Sequence, residues 1–291
     1  MFKYFRISQN SLANLAASQL YCHHYAAFND PFECWCVERR DVPDALKEPE
    51  RYSRVRAAWL GPEHPVDPTV DDLFAEYVES LTTYPWSIVD NTKNNARISC
   101  FSESGDNLLM WAHYGDGLRG FCLEFDEQEI LRGTPDGAQL LAVQYRDNPE
   151  PFDLCLYEVA RDQMEWHEHQ IAKARAKGEP VEFGLGDDFA RVAANSKRLM
   201  HEIYAKLLAT KPREWHYERE IRLIFRVLKD DFSGVFYKFP RAAIKSVIVG
   251  DKITDENRTK ISNALRQAEI EIPLLVASRD PSSFRVSVRP I

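Results

Sequence analysis

A chain of 291 residues that is 44% apolar, 12% aromatic and 28% charged can bury a sizeable core, and this composition excludes wholesale disorder. No run of residues approaches the apolar length needed to span a bilayer, so no membrane is expected among its partners. The net charge of -8 argues against broad, nonspecific binding to nucleic acid, which requires a basic surface.

The N-terminus, Met1-Phe-Lys-Tyr-Phe-Arg6, leads directly into structured-looking sequence without an apolar core and a small-residue cleavage site, which points to the cytoplasm. Six cysteines show no framework spacing and read as reduced, buried thiols. Cys22, His23, His24, Cys34 and Cys36 can be drawn around a zinc ion, but the repeated Cys-x-x-Cys spacing of a zinc site is missing.

Residues 2–7 alternate as a short first strand. Ser8 or Asn10 can then cap a helix whose apolar face is Leu12, Leu15 and Ala16, and Gln19–His24 reads as a second strand. Phe28-Asn-Asp-Pro-Phe-Glu33 is a turn, since Asn29 and Asp30 can bond their own backbone and Pro31 fixes φ. Residues 39–59 and 71–81 read as amphipathic helices, joined by the proline-rich 61–68. Together they suggest a helical insertion near 37–95.

Residues 98–101 form the next expected strand, followed by a polar turn, one or two helical turns over Leu108–Tyr114, and a further strand over 120–125. That short stretch concentrates Ser102, Glu103, Trp111, His113, Tyr114 and Arg119, and a loop held between buried strands is where sites are built. Gln139–Tyr145 is another strand. Helices over about 153–177 and 187–208 follow, the latter with Phe189, Val192, Leu199, Ile203, Tyr204 and Leu207 as its core stripe. Within the former, Trp166-His-Glu-His169 places two histidines on different helix faces, a solvated surface rather than a metal site.

After Pro212 stops the helix, Tyr217–Val227 alternates as a strand. On one face it would carry Glu218, Glu220 and Arg222. Two carboxylates beside a guanidinium can be held at different pKa values, as acid/base chemistry or oxocarbenium stabilisation requires. A charged solvent face on an edge strand would give the same pattern. Strands over 235–239, 244–249, 273–277 and 284–288 and a helix over 255–268 complete the chain. The whole reads as a single α+β domain, 1–291, around a central mixed, mainly antiparallel sheet, with the insertion at 37–95 and a helical pair at 153–208.

In order, Phe28-Asn-Asp-Pro-Phe-Glu33, Ser99-Cys-Phe-Ser102, Asn107-Leu-Leu-Met-Trp-Ala-His-Tyr-Gly115 with Gly120-Phe-Cys-Leu-Glu-Phe125, and Lys211-Pro-Arg-Glu-Trp215 with Tyr217-Glu-Arg-Glu-Ile-Arg222 resemble a widespread bacterial uncharacterised-domain family. More distantly, the chain resembles the ADP-ribosyltransferase superfamily. Lys3 and Tyr4, with Arg6 as the basic residue, look like its opening strand. Ser102 with Tyr114 looks like its middle element, and Glu218 or Glu220 like its late catalytic Glu.

That resemblance implies a cleft in which NAD is the substrate. Trp111 or Tyr114 would stack on nicotinamide, Arg222 or Arg119 would bind pyrophosphate, and a Glu would hydrogen-bond a ribose hydroxyl as positive charge develops. A protein or nucleic acid would be the acceptor, and a bacterial toxin or phage-defence locus the setting. Asn29 and Asp30, the loop from Ser102 to Tyr114 and the segment Glu218 to Arg222 are expected to converge on one cleft. A rival reading is a nuclease or phosphoesterase with Glu103, Asp106, Glu218 and Glu220 on Mg²⁺. A third is a noncatalytic nucleotide-sensing module.

Overall fold

In the computed structural model, residues 1–62, 68–81, 88–135, 137–178, 187–229 and 231–291 are described. The chain divides into two compact units: residues 1–34, 89–148 and 209–291 form one, and 35–88 with 149–208 form the other.

The first unit is built on an eight-stranded sheet whose order across is Val286–Pro290, Leu274–Arg279, Ile244–Gly250, Phe121–Phe125, Phe2–Phe5, Ala96–Ser102, Glu220–Arg226 and Gln139–Ala142. Ile244–Gly250 and Leu274–Arg279 run parallel, and the other neighbouring pairs are antiparallel. The expected mixed, mainly antiparallel sheet is therefore present. Strand alternation sorts side chains to its two faces. Phe121, Leu123, Phe125, Val247 and Val249 join a large apolar cluster with Leu15, Ile261 and Ala264. Cys122 and Ile248 point the other way, into a cluster with Tyr4, Met110 and Trp111.

The covering helices start where side chains cap them. Ser8 and Ser11 form a reciprocal capping box for Gln9–Ala16, Asn107 accepts from the Leu109 and Met110 amides, and Thr254 caps Asp255–Gln267. Each satisfies amides that a helix leaves unpaired at its start. Gly120 permits a close approach of main chains: a Cβ there would lie 2.1 Å from the Phe5 carbonyl oxygen.

The second unit is helical. Leu154–Lys177 and Asp187–Leu208 match the expected pair, with Asp153 capping the first. The side chain of Phe189, expected in the stripe of the second, is not described, and residues 63–67 of the proline-rich connection lie outside the described residues. His167 departs from the solvated face expected of residues 166–169. It is 3% exposed, and its Nδ1 meets the Gln163 carbonyl.

The helix expected over 39–59 is shorter, spanning Pro49–Leu60. Pro49 fits a first helical turn but would break a helix interior, so the chain before it cannot be helical through that point. Upstream, Val37–Arg39 pairs in parallel with Pro151–Asp153 instead. Pro68–Leu81 is a second helix in this unit. Arg51 fastens this unit internally, with Nε 2.6 Å from Asp153 and Nη1 2.8 Å from Asp41.

Three differences bear on the site. The strand expected over 217–227 begins at Glu220, because Arg213–Glu218 is a 3₁₀ helix and Arg219 takes a left-handed conformation at φ 43°. Glu218 therefore does not share a strand face with Glu220 and Arg222. The expected strand over 139–145 is divided into Gln139–Ala142 and Gln144–Arg146, the second pairing with Thr210–Pro212. The helices Ile88–Asn95 and Glu127–Arg132 carry too few apolar repeats to be read as helices from the sequence.

Candidate functional site

A cavity of about 420 Å³ opens in the first unit against the strands Phe2–Phe5 and Ala96–Ser102 and the segment from Lys211 to Glu220. Its size falls within the range of small-molecule sites.

The first strand contributes Lys3 and Tyr4. Lys3 Nζ donates 2.7 Å to the Cys100 carbonyl and stands 5.2 Å from the Phe101 ring centroid. Burial lowers its pKa, and Cys100, Cys22 and Glu220 oppose that shift only in part. The Tyr4 hydroxyl donates 2.7 Å to the Ser104 carbonyl, which ties the first strand to the loop after residue 102. His23 and Phe28 add a ring each, with centroids 6.0 Å apart. Partial burial and then the Lys3 charge push the His23 imidazole below its usual pKa.

Opposite Lys3 and Tyr4 in sequence, the late segment supplies a chain of alternating charges. Arg222, wholly buried, donates from Nη1 and Nη2 to Glu33 at 2.5 and 3.0 Å, and from Nε to Glu220 Oε1 at 2.8 Å. Lys211 Nζ donates to Glu220 Oε2 at 3.0 Å and to Glu218 Oε2 at 2.7 Å. The Tyr114 hydroxyl completes the chain at 2.6 Å from Glu218 Oε1. Such a network persists in a buried setting only because each charge meets its opposite.

Burial alone would raise the Glu220 pKa, but the Arg222 guanidinium and the Lys211 ammonium hold it well below the usual carboxylate range. For Lys211, burial pulls the pKa down and the two carboxylates more than restore it. The Tyr114 phenol is pushed up, first by burial and then by its bond to Glu218. Ser102 Oγ donates 2.7 Å to the Glu218 carbonyl, fixing the 3₁₀ turn against the strand end.

Asn29, Ser102, Tyr114, Glu218 and Glu220 thus line one cavity with Lys3 and Tyr4. Other sequence-selected residues lie elsewhere. Trp111 is 0% exposed and donates from Nε1 to the Gly105 carbonyl at 2.9 Å. A ring with no exposed face cannot stack on a ligand, so it is a core residue. His113 is exposed beside Tyr217 and does not line the cavity.

Arg222 is committed to two carboxylates, which removes it as a pyrophosphate ligand. Arg119 pairs with Asp116 at 3.1 Å and lines a different cavity. Arg6 is exposed beyond the end of the first strand. Asp30 is buried and holds its own turn by accepting from the Phe32 amide at 2.9 Å.

The sequence reading passed over His23, Cys100 and Lys211 as cleft residues. Lys211 appears in the sequence only as the start of the motif Lys211 to Trp215, which gives no sign of what its ammonium meets. Its pairing with Glu218 depends on the 3₁₀ turn between them, which alternation cannot show.

The four carboxylates drawn around Mg²⁺ are not brought together. Glu103 pairs with Arg219 at 2.7 Å, Asp106 bonds Ser104, and Lys211 stands between Glu218 and Glu220 where a metal would sit. Among the described residues no group of three or more His, Cys, Asp or Glu side chains is placed to hold a metal, the drawn zinc set included.

Residues 110–223 match the model of a family described as a protein of unknown function, DUF2971. That segment carries Tyr114, Lys211, Glu218, Glu220 and Arg222, and it supports an uncharacterised family. No curated protein and no solved structure matches the chain. Among the described residues no helix is long and apolar enough to cross a membrane.

Proposed function

We propose that the first unit is an ADP-ribosyltransferase-like or NAD-cleaving enzyme with Glu218 as its catalytic carboxylate. The observation that carries this reading is the unequal engagement of the two cleft carboxylates. Glu220 takes N–H bonds from Arg222 on both oxygens and a further one from Lys211. Glu218 takes one bond on each oxygen, from Tyr114 and from Lys211.

An ionised carboxylate offers about four acceptor sites, so each Glu218 oxygen keeps one for a ligand hydroxyl. Glu218 on the cavity wall would accept from a ribose hydroxyl as the bond from C1′ to nicotinamide breaks, its electron pair leaving with neutral nicotinamide. The carboxylate would stabilise the oxocarbenium character that develops. Tyr114 and Lys211 orient it, and Glu220 with Arg222 and Glu33 anchors Lys211. An attacking hydroxyl or amine of a protein or nucleic acid, or water, would complete the reaction and release a proton.

The test compares NAD turnover and thermal stabilisation by NAD in the wild type, Glu218→Gln and Glu220→Gln. A ligand at a hundredfold excess over its Kd stabilises by about 2.7 kcal/mol. The expected outcome is stabilisation in wild type and Glu218→Gln, with turnover lost in the latter. Absence of both stabilisation and turnover in the wild type would overturn the reading.

A further inference from the structure

The buried chain of ion pairs leaves Lys3 out. Among the described residues no carboxylate comes within ion-pair distance of its ammonium, and its one hydrogen bond goes to the Cys100 carbonyl. An ammonium has three donors, so two are left over on a side chain that lines the cavity. The strand that carries it lies inside the eight-stranded sheet, flanked by Phe121–Phe125 and Ala96–Ser102.

An alkyl side chain would fill that position without removing a cation from water. A lysine placed in a cleft without a counter-ion is instead the arrangement that frees an amine for chemistry.

We infer that Lys3 is a nucleophilic amine and that the cleft accepts a small hydroxylated aldehyde, such as an open-chain sugar, which condenses with it to an imine. The nitrogen lone pair forms the new C–N bond as the carbonyl π pair moves to oxygen. The carbinolamine then loses that oxygen as water, both hydrogens of the water coming from the amine, so no oxidant or reductant is needed. Tyr114, Asn29 and Glu218 on the same cavity suit the hydroxyls of such a chain better than a bare alkyl aldehyde.

The groups facing the amine act in opposite senses. Burial favours its neutral form, while Cys100 on the adjacent strand, Cys22 and Glu220 one strand further on favour the ammonium, with the net result a lowered pKa. A lowered pKa raises the free-amine fraction at neutral pH.

The inference stands apart from NAD cleavage, because imine formation can be read without turnover. Full-length protein at pH 7 is treated with glycolaldehyde and cyanoborohydride, and modification is quantified at each lysine by peptide mass spectrometry. Fragment spectra separate Lys3 from the α-amine of Met1.

The expected result is faster labelling of Lys3 than of the exposed Lys245 and Lys252 at pH 7. That preference should shrink as the pH rises toward 10 and the exposed amines deprotonate. Lys3 labelling no faster than Lys252 at pH 7 would overturn the inference. A Lys3→Arg variant, checked for folding by its melting curve, should lose the fast-labelling site. The wild-type comparison decides the matter even if that variant does not fold.

Discussion

The Lys211 ammonium stands 2.7 Å from Glu218 Oε2, and both side chains are at most 5% exposed. The same ammonium is 3.0 Å from Glu220, so one cation serves two buried carboxylates. Replacing it by Lys211→Met leaves those charges short of their partner. Breaking a buried pair costs about 3–5 kcal/mol, and the expected outcome is a fall of that order in the free energy of unfolding, measured in urea. A change below about 1 kcal/mol, the scale of an exposed pair, would show that water reaches the site.

Acid should destabilise the protein through Glu220. Its folded-state pKa is depressed from 4.5 to about 2, so the unfolded chain binds the proton more readily. The associated stability is fully present above pH 4.5 and is lost as pH falls toward 2. Urea midpoints should drop between pH 5 and 3, as the order-of-magnitude linkage requires. The drop should be shallower in Glu220→Gln, which starts less stable but lacks that titration.

Trp111→Phe separates a core role from a ligand-stacking one. The indole fills a fully enclosed position, edge-on to Tyr4 with centroids 5.3 Å apart, and satisfies the Gly105 carbonyl. Loss of that bond and of packing volume should cost about 1–3 kcal/mol. Under the proposed function, the melting-temperature shift expected from NAD should be unchanged. A variant of normal stability that has lost the shift would return Trp111 to the cleft.

Gly120→Ala tests the closeness of the main chains at the start of the strand Phe121–Phe125. The added Cβ would meet the Phe5 carbonyl oxygen at 2.1 Å and the Gly115 carbonyl oxygen at 2.9 Å. Neither neighbour is a flexible side chain, so the strands must part. A loss of roughly 3 kcal/mol or more is expected, read as a lowered denaturation midpoint.

Elements with a clear period were legible in the sequence. Leu12, Leu15 and Ala16 marked a helix, and alternation in 120–125 and 244–249 marked central strands. The helix expected over 39–59 failed because apolar spacing outweighed Pro43 and Pro49, whose missing N–H groups were the better signal.

At the site, polar residues clustered in the motifs pointed to the right neighbourhood, including Asn29, Ser102, Tyr114 and the two late Glu residues. Burial was not legible. Trp111 and Arg222 look like ligand-binding residues by type, and only three-dimensional packing shows that one is enclosed and the other already satisfied. The left-handed turn at Arg219 is equally hidden, since φ is positive there without a glycine to announce it.

The first unit is assembled from three separated stretches of chain, with the two segments of the second unit lying between them in sequence. Lys3 precedes both intervening segments in the chain, whereas Glu220 on the other side of the ion network follows them. The cleft therefore has no precursor in a nascent chain. A chain that ends before Glu218 carries Lys3 without Glu218 or Glu220, so any activity of the cleft requires synthesis to pass both intervening segments.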